Sequence, residues 1–179
     1  MLACGKIRSY KSPAGAPMLF IPNKVGRGLH LCVDYRCLNE VTILNRYSLP
    51  LMNKLRDRVL GSTILTKLDL NSGNNLIRIK EGEERKIAFR TCYGHFEYLF
   101  MPFGLANALA TFQNMMNDIF KDMIDIGIVI YLYDILIYSK KEADHIALVK
   151  RVLSHLQKHK LAIASDKCEW HKSKVNLFS

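Results

Sequence analysis

Two hydrophobic periodicities alternate along this chain, and together they lay out a mixed α and β domain. Between 107 and 123 the apolar residues Phe112, Met115, Met116, Ile119, Phe120 and Met123 step mostly by three and four. That spacing predicts a helix with one apolar stripe packed as core against a sheet. A second helix is expected over 143–159, with Ile146, Val149, Leu153 and Leu156 on one face. Short apolar runs bounded by turn residues predict strands at 18–21, 29–34, 63–70, 76–79, 86–90, 93–100 and 174–178, with a short helix over 53–60. The string I-V-I-Y-L-Y-D-I-L-I-Y-S at 128–139 reads as two strands, 128–131 and 135–138, closed by a tight turn. Residues 1–17, rich in Pro, Gly and Ser around K-S-P-A-G-A-P, read as an extended lead-in. Strands mixed with helices packed on one side give an α+β sheet domain.

Composition narrows the class. At 179 residues and 49% apolar content, the chain suits one globular domain. No apolar run approaches the ~18–20 residues that span a bilayer, and the N-terminus lacks the apolar core of a secretory signal, so no membrane partner is expected. A net charge of +10 suits nucleic acid or an anionic membrane, with general solubility as the plainer reading, and Lys and Arg are spread through several segments as phosphate tracking requires. Cys4, Cys32, Cys37, Cys92 and Cys168 are irregularly spaced, which reads as reduced thiols in an intracellular protein rather than a zinc ribbon or disulfide scaffold. His155 and His159 have a metal-ligand spacing on the second helix, but on a Lys-rich face the plainer reading is solvated surface.

Two lone carboxylates carry the candidate chemistry. Asp69 closes the apolar strand L-T-K-L-D-L, and Asp134 lies in the turn about 65 residues later. Two strand ends joined on one sheet would bring both acids to one open cleft, within reach of a bridging divalent ion. Hard cations such as Mg²⁺ take carboxylate oxygens.

Nine blocks then fall in order: S-P-A-G-A-P (12–17), L-C-V-D-Y-R-C-L-N (31–39), T-K-L-D-L (66–70), I-A-F-R-T (87–91), Y-G-H-F-E-Y (93–98), M-P-F-G-L-A-N-A (101–108), A-T-F-Q (110–113), Y-D-I-L-I-Y-S (133–139) and D-K-C-E-W (166–170). Together they resemble the reverse transcriptase of Gypsy-type LTR retrotransposons over nearly the whole chain. The resemblance implies one domain over 1–179, the fingers and palm of a right-hand polymerase. The palm is then an antiparallel sheet with helices on one face, the thumb is absent, and the chain ends near the primer-contacting hairpin. It implies RNA-directed DNA synthesis by two-metal nucleotidyl transfer, with two Mg²⁺ ions as cofactors. RNA or DNA template-primer and deoxynucleoside triphosphates would be the partners. By motif matching Asp69 is the first metal carboxylate, the backbone carbonyl of Leu70 a further ligand, and Asp134 the last carboxylate. Lys24, His30, Asn74, Phe103 and Gly104 match nucleotide-binding positions, and Arg36 matches a template-contacting one. The plainer readings stay open beside these: Lys24 as a solvated turn residue, Arg36 as a structural ion pair, Phe103 as core.

The departures from the family fall on functional positions. Tyr133 stands where the turn should carry the middle aspartate, and a phenol with a pKa near 10 is neutral at pH 7 and a poor Mg²⁺ ligand. The turn's catalytic face should be open, so Tyr133 is not expected to fill core. Asn74 replaces an aromatic steric gate, and His30 replaces an arginine that grips triphosphate with a permanent fork. Leu109 and Ser48 replace prolines, and L-F-S at the end replaces F-L-G. The resemblance therefore implies a degenerate, truncated copy whose polymerase chemistry is lost or very weak. A divergent working lineage, a non-enzymatic nucleic-acid-binding module and an inert fragment are the alternatives.

Overall fold

The computed structural model describes residues 5–11, 13, 15–22, 29–47, 49–71 and 76–176. The chain forms two compact units, each assembled from two stretches: Met1–Asn45 with Asn74–Ala108, and Arg46–Gly73 with Leu109–Ser179.

In the first unit a three-stranded antiparallel sheet has the order β1 (Ile7–Ser9), β6 (Gly94–Tyr98), β5 (Phe89–Thr91). Part of the expected lead-in is therefore sheet: Ile7 pairs with Tyr98, and Ala16 bridges to Phe89. A separate hairpin joins β2 (Met18–Pro22) to β3 (Leu29–Val33), with Met18 opposite Val33. The core of this unit gathers Val33, Tyr35, Ile87, Phe89 and Tyr98. The Phe89 and Tyr98 rings lie 4.9 Å apart, and the Tyr35 hydroxyl donates to the Ile87 carbonyl at 2.9 Å. Burial raises the Tyr35 pKa, so its hydroxyl stays a donor. Beneath the sheet edge, Arg8 forms an ion pair with fully buried Glu97.

Two expectations in this unit are corrected, and one element was not expected. Residues 76–79 are not a strand: only Arg78 bridges, to Phe100, because the segment makes isolated bonds such as Ile79 N–H to the Leu99 carbonyl at 2.9 Å. The strand expected at 86–90 is a 3₁₀ turn, Glu84–Ile87, followed by β5. R-C-L-N-E-V forms a short helix, α1 (Arg36–Val41), that buries no residue and so left no periodicity to read.

The second unit is built on a four-stranded antiparallel sheet in the order β7 (Ile128–Tyr131), β8 (Asp134–Ser139), β4 (Ile64–Asp69), β9 (Glu169–Lys172). Its inner strands are buried on both sides, which explains their near-continuous apolar runs. On one face Leu55 of α2 (Met52–Val59) packs with Val129 and Leu136. On the other lies α4 (Glu142–Lys158), whose His145 reaches Thr66 of β4. The long helix α3 spans Ala108–Ile119, with Phe112 and Met116 fully buried. Phe120 and Met123 continue the stripe from turns beyond the helix end, which is why the periodicity overran it.

The buried face of α4 is His145, Val149, Val152 and Leu156, rotated from the expected one, and Ile146 is exposed. The rotation follows from His145, a polar residue with polar partners inside. His155 is not a metal ligand in waiting: its ring stacks on Phe120 at 5.6 Å and its Nδ1 faces the Ile119 carbonyl at 3.2 Å. The last expected strand is displaced. Residues 174–176 are irregular, 177–179 lie outside the described residues, and the polar run E-W-H-K forms β9 instead.

Candidate active site

The candidate site is made by register. β4 ends at Asp69, β8 begins at Asp134, and the two residues are direct partners across the antiparallel ladder. Directly opposed side chains share a face, with Cβ atoms about 4.5–5.5 Å apart. The apolar alternation holds this register, because a one-residue slip would send Asp134 to the opposite face along with every other β8 side chain.

The turn is a two-residue hairpin loop, Leu132–Tyr133, and Tyr131 pairs with Asp134 across it. Leu132 has φ +53°, the left-handed conformation such tight turns demand. Gln113, fully buried on α3, braces the loop. Its Oε1 accepts from Leu132 N–H at 2.8 Å and its Nε2 donates to the Ile130 carbonyl at 3.2 Å. Gln113 in turn donates to Asn117, whose amide donates to the Tyr47 hydroxyl. On the other side, Leu70 N–H donates to the Tyr133 carbonyl at 2.9 Å, and the Asp69 carbonyl accepts from Ala164 N–H at 2.9 Å. The backbone at both acids is thus fixed from both flanks.

Tyr133 departs from expectation. Its ring lies 4.7 Å from that of Phe112, so the phenol is half-buried against α3 instead of standing on an open face. The aromatic ring finds a better partner in the helix stripe than in water.

The charge balance adds an unexpected group. Lys67, two residues before Asp69 on β4 and therefore on the same face, puts Nζ 3.2 Å from Asp134 Oδ2; the two side chains are only 8% and 14% exposed. The same ammonium donates to the Asn176 carbonyl at 3.3 Å. Burial holds the Asp134 carboxyl above its ordinary pKa, Lys67 pulls it down, and Asp69 pushes it up again. Among the described residues, no three or more His, Cys, Asp or Glu side chains gather in a way that could hold a metal ion. The register brings together two opposed acids, one of them already carrying an ammonium.

The other positions singled out in the sequence lie in the first unit or outside the described residues. Lys24 and Asn74 lie outside the described residues, and of His30 only the backbone is described, in β3 opposite Ile21. Arg36, Phe103 and Gly104 belong to the first unit. The Arg36 fork is occupied by Asp34, with Nη2 to Oδ2 at 2.7 Å and Nε to Oδ1 at 2.9 Å, the ion pair that was its plainer reading. That guanidinium lowers the Asp34 pKa to about 2. Phe103 is 53% exposed and so is not core. Gly104 has φ +94°, and a Cβ there would sit 3.6 Å from the Tyr35 ring; its carbonyl accepts from Asn39 at 2.8 Å.

Lys67 and Gln113 were the residues sequence reasoning missed. Each left a signal: a lone charge inside an apolar strand, and a polar residue between buried helix positions.

No helix among the described residues is long and apolar enough to cross a membrane. A family model described as reverse transcriptase (RNA-dependent DNA polymerase) matches residues 22–178. The Transposon Tf2-3 polyprotein of Schizosaccharomyces pombe is 45% identical over 174 residues, which is 97% of this chain and 13% of that protein. The Transposon Tf2-7 polyprotein of the same yeast is 44% identical over the same share. The chain therefore spans only about an eighth of the length of these relatives. Among solved structures, the foamy viral protease-reverse transcriptase in complex with double-stranded DNA superposes with a TM-score of 0.89 at 20% identity, over 97% of this chain and 30% of that one. Its complex with an RNA/DNA hybrid gives 0.86 at 19%, over 94% and 22%. The two units are thus a polymerase fingers-and-palm fold, of a family that generally uses Mg²⁺, and the chain belongs to the reverse transcriptases as the reverse transcriptase domain of an LTR retrotransposon.

Proposed function

We propose that the Asp69–Asp134 pair is the remnant of an RNA-directed DNA polymerase centre, and that this chain still binds template-primer but no longer extends it. The observation that carries the reading is the ladder register that opposes the two acids at adjoining strand ends. The chemistry would need a third carboxylate at the loop position occupied by Tyr133. Its phenol is neutral at pH 7 and is turned onto Phe112. Asp134 cannot substitute for it, because it already supplies the carboxylate opposed to Asp69. Lys24, His30, Asn74, Phe103 and Gly104 are the proposed nucleotide-binding positions, Arg36 the proposed template contact, and Leu70 the proposed backbone carbonyl at the centre.

Binding without catalysis is favoured by the charge. A net +10 supplies phosphate contacts that are independent of the missing acid and carry no base specificity. Titration of a labelled RNA–DNA hybrid at two salt concentrations should show weak binding that falls steeply with salt. No binding at low salt would leave an inert fragment.

Primer extension tests the chemistry, run with Mg²⁺ and with Mn²⁺ on the native chain, on Tyr133→Asp, and on Tyr133→Asp combined with Asn74→Tyr and His30→Arg. No extension is expected from the native chain and little from the single change, because positioning and charge act together and such defects are not independent. Robust extension by the native chain would overturn the reading.

A further inference from the structure

We infer that Lys67 is the resident cation of this cleft, and that a divalent ion can bind the Asp69–Asp134 pair only by displacing it. The inference rests on the proposed reading of that pair as the old catalytic centre.

Strand geometry puts Lys67 among acids on three neighbouring strands. Asp69 is two residues along on β4, Asp134 lies diagonally on β8, and Glu169 is the ladder partner of Lys67 on β9. The ammonium is nearly buried, 3.2 Å from Asp134 Oδ2, with the Asn176 carbonyl as a second acceptor at 3.3 Å. A lysine head group tucked into a sheet needs partners that compensate its lost hydration, and the Asp134 carboxylate and the Asn176 carbonyl are those partners. Two opposed carboxylates in the same place repel unless a cation stands near them. Each thus supplies what the other needs, and the negative charge of the cleft is partly offset from within by a single charge on a tether.

That arrangement differs in kind from a set of bare acids awaiting metal. An incoming divalent ion meets an ammonium a few ångström away, and unit charges at that range interact strongly at the effective dielectric of a protein surface. Removing the ammonium should therefore tighten metal binding, the opposite of what deleting an ordinary site residue does.

The test is Mn²⁺ binding to the full chain by calorimetry, cross-checked by the paramagnetic signal of free Mn²⁺, so that polymerase activity is not needed. Lys67→Met should bind Mn²⁺ roughly tenfold or more tightly than the native chain. Lys67→Arg, which keeps the charge, should bind no better than native. Lys67→Met binding no tighter than native would overturn the inference. If Mn²⁺ binding to Lys67→Met survives Asp69→Asn and Asp134→Asn unchanged, the carboxylate centre itself is misassigned, which is a distinguishable failure. Should Lys67→Met not fold, by circular dichroism, the native chain still decides: labelling of the Lys67 amine by acetic anhydride should accelerate when Mn²⁺ is added. Unchanged or slower labelling at saturating Mn²⁺ would overturn the inference.

Discussion

Mild acid should loosen α4 from its sheet, with His145 as the titrating group. The imidazole is fully buried, with Nε2 2.8 Å from Thr66 Oγ1 and Nδ1 3.1 Å from Ser139 Oγ. The neighbours fix the proton. Ser139 spends its hydroxyl hydrogen on the Lys141 carbonyl at 3.1 Å, so Nδ1–H must donate to Ser139. Thr66 accepts from His171 N–H at 3.2 Å and gives its own hydrogen to bare Nε2. A second proton on the ring removes that acceptor and sets a charge 4.8 Å from the centre of the His171 ring. Burial first, then His171, accordingly hold the His145 pKa below its ordinary value. Between that lowered value and about 6.5 the unfolded chain binds more protons than the native one. Stability is therefore complete above about pH 7, is lost as pH falls through about 6.5, and levels off below the native pKa. One proton sets a slope of at most ~1.4 kcal/mol per pH unit. Urea unfolding from pH 8 to 5 would measure it, with His145→Gln separating this group from the other histidines. The variant should be weaker at pH 8 by about 1–3 kcal/mol for its disrupted buried hydrogen bonds and should lose less on acidification. Parallel pH profiles for the two proteins would refute the reasoning.

Three smaller perturbations probe the hairpin and its surroundings. Gln113→Leu strips partners from the Ile130 carbonyl and Leu132 N–H and should cost about 2–4 kcal/mol in urea unfolding; a loss under about 0.5 kcal/mol would mean the brace is idle. Leu132→Gly should be neutral to stabilising by up to about 1 kcal/mol, since relief of φ +53° slightly outweighs the entropy of glycine; a clear loss would show that the leucine side chain holds the loop. Gly127→Ala should cost about 1–3 kcal/mol, because φ is +101° and the new Cβ would fall 2.5 Å from Leu148 Cδ1; an unchanged melting temperature would contradict that.

The second unit was largely legible in sequence because its elements are long or doubly buried. The α3 stripe and the inner strands each carry a strong period. Asp69 and Asp134 were legible as a pair because a lone acid at the end of an apolar strand is conspicuous, and the register then opposed them. The failures share a cause: structure imposed by partners instead of by local pattern. E-W-H-K becomes a strand only by pairing with β4, and a polar strand at a sheet edge is what protects that edge. Glu84–Ile87 winds into a turn held by bonds such as Lys86 N–H to the Glu83 carbonyl at 3.0 Å. The buried α4 face is rotated by one residue from the apolar stripe because His145, a polar side chain, is held inside by partners on β4 and β8. Tyr133 was expected in the open because nothing in the sequence says that Phe112, 21 positions earlier, would receive its ring.

The strand order β7-β8-β4-β9 also dictates the order in which this protein can be made. β4 is the first strand of its sheet to leave the ribosome, yet both of its neighbours, β8 at Asp134–Ser139 and β9 at Glu169–Lys172, are synthesised much later. At about 5–20 residues per second, an apolar strand with both edges unpaired waits several seconds for its partners. Loop closure over such separations is slow, and exposed strand edges of this kind invite aggregation. Expression yield should therefore respond more to chaperone supply and translation speed than to any gain in the stability of the finished domain.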